Sequence, residues 1–192
     1  MKALKCFLVL FSFMGLLLVG CSDQSQSPVS PVDQGSLQKP DLTNFTFSHH
    51  PPLPPANPII DPGKVKQVGR NWIMKDVGVT EQVFSDDPLI NGTMIHYLSA
   101  RMDIETGEGP VHGSMVLTPD GAEGGVWEGK YEGYRSKMPG SDVYFILPLK
   151  VVAHGKGGTI DGMQSFFNTN ITAWGTPPAG WYGGGEGFYK SH

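Results

Sequence analysis

The chain has 192 residues, 14 Lys and Arg against 18 Asp and Glu, a formal net charge of −4 and two cysteines. A mildly acidic chain without clustered basic residues argues against nucleic acid and against an electrostatic patch for anionic lipid. Two cysteines build no disulfide framework, so the fold must be held by its core.

The first twenty residues, MKALKCFLVLFSFMGLLLVG, set Lys2 and Lys5 ahead of an apolar run from Phe7 to Val19. This is the layout of an export signal, and the run falls short of the ~20 residues that a hydrocarbon core requires. The quartet Leu18, Val19, Gly20 and Cys21 resembles the lipobox of bacterial lipoproteins. The resemblance implies cleavage after Gly20 and lipidation of Cys21, which anchors the mature chain to a membrane at ~0.8 kcal/mol per buried methylene. Cys6, Lys2 and Lys5 leave with the leader, so no free cysteine remains and 12 basic residues face 18 acidic ones. Ser22 resembles the signal that sends lipoproteins to the outer membrane, which gives the bacterial cell envelope as the expected location.

Residues 21–63 are rich in Ser, Gln, Asp and Pro and hold nine of the sixteen prolines. Proline removes amide donors and biases its predecessor toward extended backbone, so this segment reads as a disordered, lipid-anchored tether. His49 and His50 fall inside it and read as solvated, having no further metal ligands nearby.

Composition changes near Val65, and residues 64–192 read as one domain. Strands are expected at 71–84, 93–104, 111–117, 126–134, 143–154 and 160–172, punctuated by turn chemistry such as Asn91-Gly92, Pro119-Asp120-Gly121 and Pro139-Gly140. In "VWEGKYEGY", Trp127, Gly129, Tyr131 and Gly133 share one face and Glu128, Lys130 and Glu132 the other. Met94, His96, Leu98, Ala100, Met102 and Ile104 form a second apolar row with one histidine in it. Glycines alternating with rings suit a tightly curved antiparallel sheet, and closure removes its edges. The expected fold is all-β, an antiparallel up-and-down barrel of about eight strands.

The stretches "GGVWEGKYEGY" (Gly124 to Tyr134) and "VAHGKGGTIDGMQ" (Val152 to Gln164) resemble the WEG and HGxGG-x-x-DG pattern of small bacterial barrels related in fold to plant allene oxide cyclases and dirigent proteins. The likeness spans about residues 67–172. It implies a barrel of about eight strands with an interior cavity; none of the plant enzymes' active-site residues is matched here, and fold likeness does not carry a reaction.

"VAHGKGGTIDGM" has the glycines of a phosphate-binding loop but no helix after it to present amide groups, so it reads as a hairpin turn. His96, His112 and His154 all fall on expected strands, yet their spacing encodes no ligand motif, and no metal or cofactor is expected. Glu128, Tyr131 and Arg101 are the other polar groups near large apolar side chains, with Glu128 facing water. The tail from Gly180 to His192 reads as a final edge strand, a floppy end or an aromatic flap over a barrel mouth. Three readings follow. The first is a non-enzymatic lipoprotein that binds a small apolar or amphiphilic ligand, or a protein partner, with Trp127, Tyr131, Phe145, Leu147 and Met163 lining the interior. The second is an isomerase or cyclase of a lipid-derived substrate with His96 or His154 as acid or base. The third is a structural lipoprotein with a filled core. Cavity volume discriminates among them.

Overall fold

The computed structural model describes residues 41–53, 57–174 and 180–191. The export signal, the lipobox with Cys21 and the tether up to residue 40 lie outside them. Among the described residues run ten strands: β1 (Leu42–His50), β2 (Ile59–Asp61), β3 (Lys64–Val68), β4 (Asn71–Phe84), β5 (Gly92–Asp103), β6 (Gly109–Pro119), β7 (Val126–Lys137), β8 (Tyr144–Lys156), β9 (Gln164–Trp174) and β10 (Trp181–Lys190). From β4 to β10 each strand pairs antiparallel with the next. β10 then pairs with β1, and β1 returns to β4 through Ser48 opposite Phe84 and His50 opposite Gln82. Eight long strands therefore close as a ring, the expected up-and-down barrel. β2 and β3 continue along the edge of β4 beyond β1.

Period-two alternation decides what points inward. Trp127 and Tyr131 are buried while Glu128, Lys130 and Glu132 are exposed, as their spacing requires. In β4 the alternation is interrupted. The pairing with β5 shifts between Met74 and Val77, where Asp76 takes a φ of 54° and its amide meets the Ser99 hydroxyl. This bulge inserts one residue and reverses the parity of everything after it. Met74 is buried before it, and Val77, Val79, Glu81 and Val83 are buried after it.

Two expectations are corrected. The tether is expected to run through residue 63, but Leu42–His50 is a strand in the barrel wall with Phe45, Phe47 and His49 buried. The run is free of proline and alternates; the prolines that colour the segment stand before it and after it. The tail, expected as an edge strand or flap, is β10, paired on both sides by β1 and β9. It is an inner member of the sheet because β1, which composition places in the tether, supplies its second neighbour.

"VAHGKGGTIDGM" is the turn its glycines imply. Gly157 and Gly158 take φ of 70° and 54°, and a single 3-10 turn, Gly158–Ile160, drops Ile160 into the core before β9 starts at Gln164. The strand expected from residue 160 thus begins four residues later.

The two ends of the barrel differ. At one end, Ile90, Ala122 and Ile160 are buried beneath three connections that bond to each other: Gly121 N–H to Pro88 O at 2.9 Å, Thr159 N–H to Ala122 O at 3.2 Å, and Asn91 to Asp120 at 2.6 Å. Trp127 closes this plug, its indole N–H donating to Leu89 O at 2.8 Å. At the other end, where β4 begins and β5 and β9 finish, the described side chains leave a narrow opening.

Candidate functional site

A chain of polar side chains crosses the otherwise apolar interior. Glu81, placed inward by the β4 bulge, accepts from His49 Nδ1 at 3.0 Å and from the Trp181 indole N–H at 2.7 Å, both on Oε2. His49 Nε2 meets Thr169 Oγ1 at 2.9 Å, and the Thr169 hydroxyl donates to Gly184 O at 3.2 Å. His49 is thus held at both ring nitrogens, with Nδ1 on the Glu81 carboxylate and Nε2 on the Thr169 hydroxyl, as a buried polar pair with Glu81. On the other side of Glu81, His96 Nε2 stands 3.6 Å from Oε1, too far for a hydrogen bond, and has no hydrogen-bond partner among the described residues. His96 Nδ1 lies 3.2 Å from Tyr131 Oη.

Electrostatics sort these groups. Burial by itself raises the Glu81 carboxyl, but the charge of His49, that of His96 once acid has protonated it, and the hydrogen bonds from His49 and Trp181 outweigh it and hold the group at about 2. His96 is pushed down, by burial first and by the charge of His49, against the pull of Glu81, so it stands as a neutral imidazole. Tyr131 is pushed up by burial and by the charge of Glu81, which keeps its hydroxyl protonated. The Tyr131 hydroxyl lies within hydrogen-bond reach of both His96 Nδ1, at 3.2 Å, and Tyr97 O, at 3.4 Å. The set is thus a protonated phenol, a neutral base and an ionised carboxylate in sequence.

Glycines make room for this chain. A Cβ at Gly183 would overlap the His49 ring, and one at Gly113 would overlap the Tyr131 hydroxyl. The alternation of glycine and ring in the sequence is a packing code for the polar cluster.

His96 and Tyr131 also form the floor of a slot of about 70 Å³ at the open end, walled by Val79, Leu98, Leu147, Ile171 and Ala173 and bordered by Trp174 and Trp181. That space holds roughly five water molecules, far below the several hundred Å³ of pockets for drug-sized ligands. Deeper in, the interior holds small voids of about 20 Å³ beside His49, Glu81 and His96 and about 10 Å³ beside Trp127. Arg135 stands at the mouth, its guanidinium 3.5 Å above the Phe145 ring and donating to Gly107 O at 2.9 Å, with burial lowering its pKa to about 10. Beyond Arg135 and Met102 the slot adjoins an outer recess of about 410 Å³.

Of the residues expected to line a cavity, Tyr131 and Leu147 do so, and Phe145 lies at the mouth against Arg135. Trp127 and Met163 are instead in the packing of the plugged end. Of the candidate acid–base histidines, His96 points inward. His154 is corrected: it is exposed on the outer face of β8, as is His112 on β6, because both hold the outward parity of their strands. Those three histidines do not converge, and among the described residues no group of three His, Cys, Asp or Glu is arranged to hold a metal ion. Glu128 and Arg101 are exposed. Sequence reasoning missed His49, Glu81, Thr169, Trp181 and Arg135. A signal existed for two of them: Phe45, Phe47, His49 and Val77, Val79, Glu81, Val83 each place one titratable residue in an apolar row.

No family model, no curated protein and no solved structure matches this chain. The site must be read from its own chemistry.

Proposed function

We propose that the protein is a lipoprotein of the bacterial cell envelope, anchored through Cys21 and most simply at the outer membrane, whose barrel takes the slender apolar part of a small amphiphile into its open end. The observation that carries this reading is the slot: apolar walls and a floor of His96 and Tyr131 with a single hydroxyl and a single imidazole. Its small volume selects a thin hydrocarbon chain over a ring system. The closed ring of eight strands is compatible with kinship to the allene-oxide-cyclase-like and dirigent-like barrels, and the lipobox supports the address.

Binding is tested with a fluorescent polyene fatty acid titrated into the purified chain and displaced by its unlabelled saturated counterpart. Ala173→Phe fills the slot and should weaken binding about tenfold or more, equivalent to roughly 1.4 kcal/mol, while the melting temperature stays near that of the parent. Equal binding by the variant, or no binding by the parent, overturns the reading.

A second reading, an isomerase or cyclase of a lipid-derived substrate, is favoured by one observation: neutral His96 stands between a protonated phenol and an ionised carboxylate. Such a base can take a proton from one carbon and return it to another, which leaves the substrate mass unchanged. A native lipid extract incubated with the parent should then show a species shifted in chromatographic retention at constant mass, absent with His96→Gln. No shift with the parent removes this reading.

A further inference from the structure

We infer that the open end of the barrel is itself a membrane-contacting surface, resting on the outer leaflet of an uncharged bilayer through a rim of aromatic and aliphatic side chains. This rests on the reading of the chain as membrane-anchored, and does not require a ligand in the slot. Large apolar side chains are left in water in several places, Phe84 and Leu42 at the plugged end included, but the exposed tryptophans, Trp72 and Trp174, both stand at the open end. Trp174, Tyr182 and Tyr144 form one side of the rim: Tyr144 is paired across strands with Trp174, whose ring lies 6.4 Å from that of Tyr182. Val65, Trp72 and Ile104 form the other, around the outer recess. The exposures are 42 % for Trp174, 56 % for Tyr182 and 36 % for Trp72, on side chains that soluble domains bury when they can. An exposed cluster of this kind marks a contact surface.

Three observations select a bilayer as the occupant. Trp and Tyr dominate one side, and these rings, apolar with a polar handle, are the side chains that favour the membrane–water boundary. Among the rim's charges, Arg70 pairs with Glu105 at 2.8 Å and Asp103 at 3.6 Å, and Lys137 with Asp142 at 3.5 Å, so these five groups cancel to within a single charge and set up no strong field that would call for a highly charged partner. The length of the tether allows the contact. Asp41 enters at the plugged end, and the 20 residues from Cys21 to Asp41 reach at most ~66 Å, against a barrel height of roughly 35 Å for a 14-residue strand tilted as barrel strands are. A chain anchored at Cys21 can therefore lay its far end on the same bilayer. The apolar slot opens within this rim, so an amphiphile would enter from lipid without crossing water.

The test uses the full lipidated chain reconstituted in phosphatidylcholine vesicles, with and without bromine on the acyl chains. Tryptophan emission should be quenched by brominated lipid, insensitively to salt, and the Trp72→Phe/Trp174→Phe variant should lose most of that quenching while its melting curve is unchanged. A chain that floats with vesicles but whose emission ignores brominated lipid keeps its anchor and overturns the rim contact. A chain that does not float overturns both. Retention of quenching by the double variant, or a detergent-stable dimer that Trp174→Asp dissociates, reassigns the surface and overturns the inference.

Discussion

His49 and Glu81, 32 residues apart in the chain, meet at 3.0 Å in the middle of the barrel, each almost wholly removed from water. The Glu81 carboxylate could not be buried alone. Together, with Trp181 and Thr169 taking up their remaining hydrogen-bonding capacity, they tie β1, β4, β9 and β10 across the line where the ring closes. Only three residue pairs join β1 to β4. The buried pair reinforces the shortest seam of the eight-stranded ring.

Removal of one partner should therefore cost far more than removal of both. Glu81→Gln removes the carboxylate that His49 and Trp181 are bonded to, and His49→Gln leaves the buried carboxylate without its main partner. Each should lower stability by about 3–5 kcal/mol, the usual cost of an orphaned buried charge. The pair Glu81→Gln/His49→Gln should recover much of the sum, giving a coupling energy of about 2 kcal/mol in a double-mutant cycle read by urea unfolding. Strict additivity would mean that the two residues do not act as a pair.

Stability should fall as the solution is acidified, in two stages. The His96 imidazole is held below its ordinary 6.5 mainly by burial, with Glu81, His49 and Tyr131 as the groups that face it. A depressed folded value means that the unfolded chain takes up the proton first, so this contribution is complete above about 6.5 and is lost as pH falls below it. The Glu81 carboxyl, held at about 2 against an ordinary 4.5, contributes about 3 kcal/mol that is complete above 4.5 and disappears toward 2. Urea midpoints measured from neutral to acid pH should decline throughout, and His96→Gln should flatten the upper stage only. A midpoint that holds steady down to pH near 4.5 would contradict the first stage.

Much of the barrel was legible because its strands obey a period of two and its turns carry glycine, asparagine and proline. The strand expected at 71–84 coincides with β4, and those expected at 93–104 and 126–134 sit within a few residues of β5 and β7. The polar cluster was not legible, for two physical reasons. Pro51 and Pro52 abut β1, and a composition averaged over the segment hides a nine-residue run that contains none. The bulge at Asp76 reverses inside and outside within β4, so counting from Met74 puts Thr80 and Gln82 in the core and Glu81 in water. Only cross-strand pairing fixes that register. His154 failed for the converse reason: its strand was right, but its parity points outward.

The glycines opposite the cluster should be as restrictive as the charges. Gly183→Ala would drive a methyl group into the His49 ring, and Gly113→Ala would meet the Tyr131 hydroxyl and the Tyr97 carbonyl. Overpacking of this kind costs about 1–3 kcal/mol. At Gly124 an added methyl group would find nothing within 4 Å, yet the φ is 87°, so Gly124→Ala is a control that strains backbone conformation alone. Thermal melts should rank Gly183→Ala and Gly113→Ala with losses of this size, and tyrosine absorbance should report the displacement of Tyr131. Parental stability in both would mean that the wall yields and that the cluster is loosely held.

The two ends of the barrel should respond to tryptophan removal in opposite ways. Trp127 is 1 % exposed, donates to Leu89 O and packs against Tyr189 in the plugged end. Trp127→Ala leaves a cavity and an unpaired carbonyl, a loss of about 3–5 kcal/mol. At about 2–4 °C per kcal/mol for a domain of this size, the melting temperature should drop by roughly 10 °C or more. Trp174 has 42 % of its surface in water and packs mainly on Gly180 and Tyr182. Trp174→Ala should cost no more than about 1 kcal/mol, because few atoms close over it. Calorimetry of the two variants separates the roles of the ends: equal large losses would make the open rim part of the core, while a large loss confined to Trp127 leaves that rim free to meet a partner.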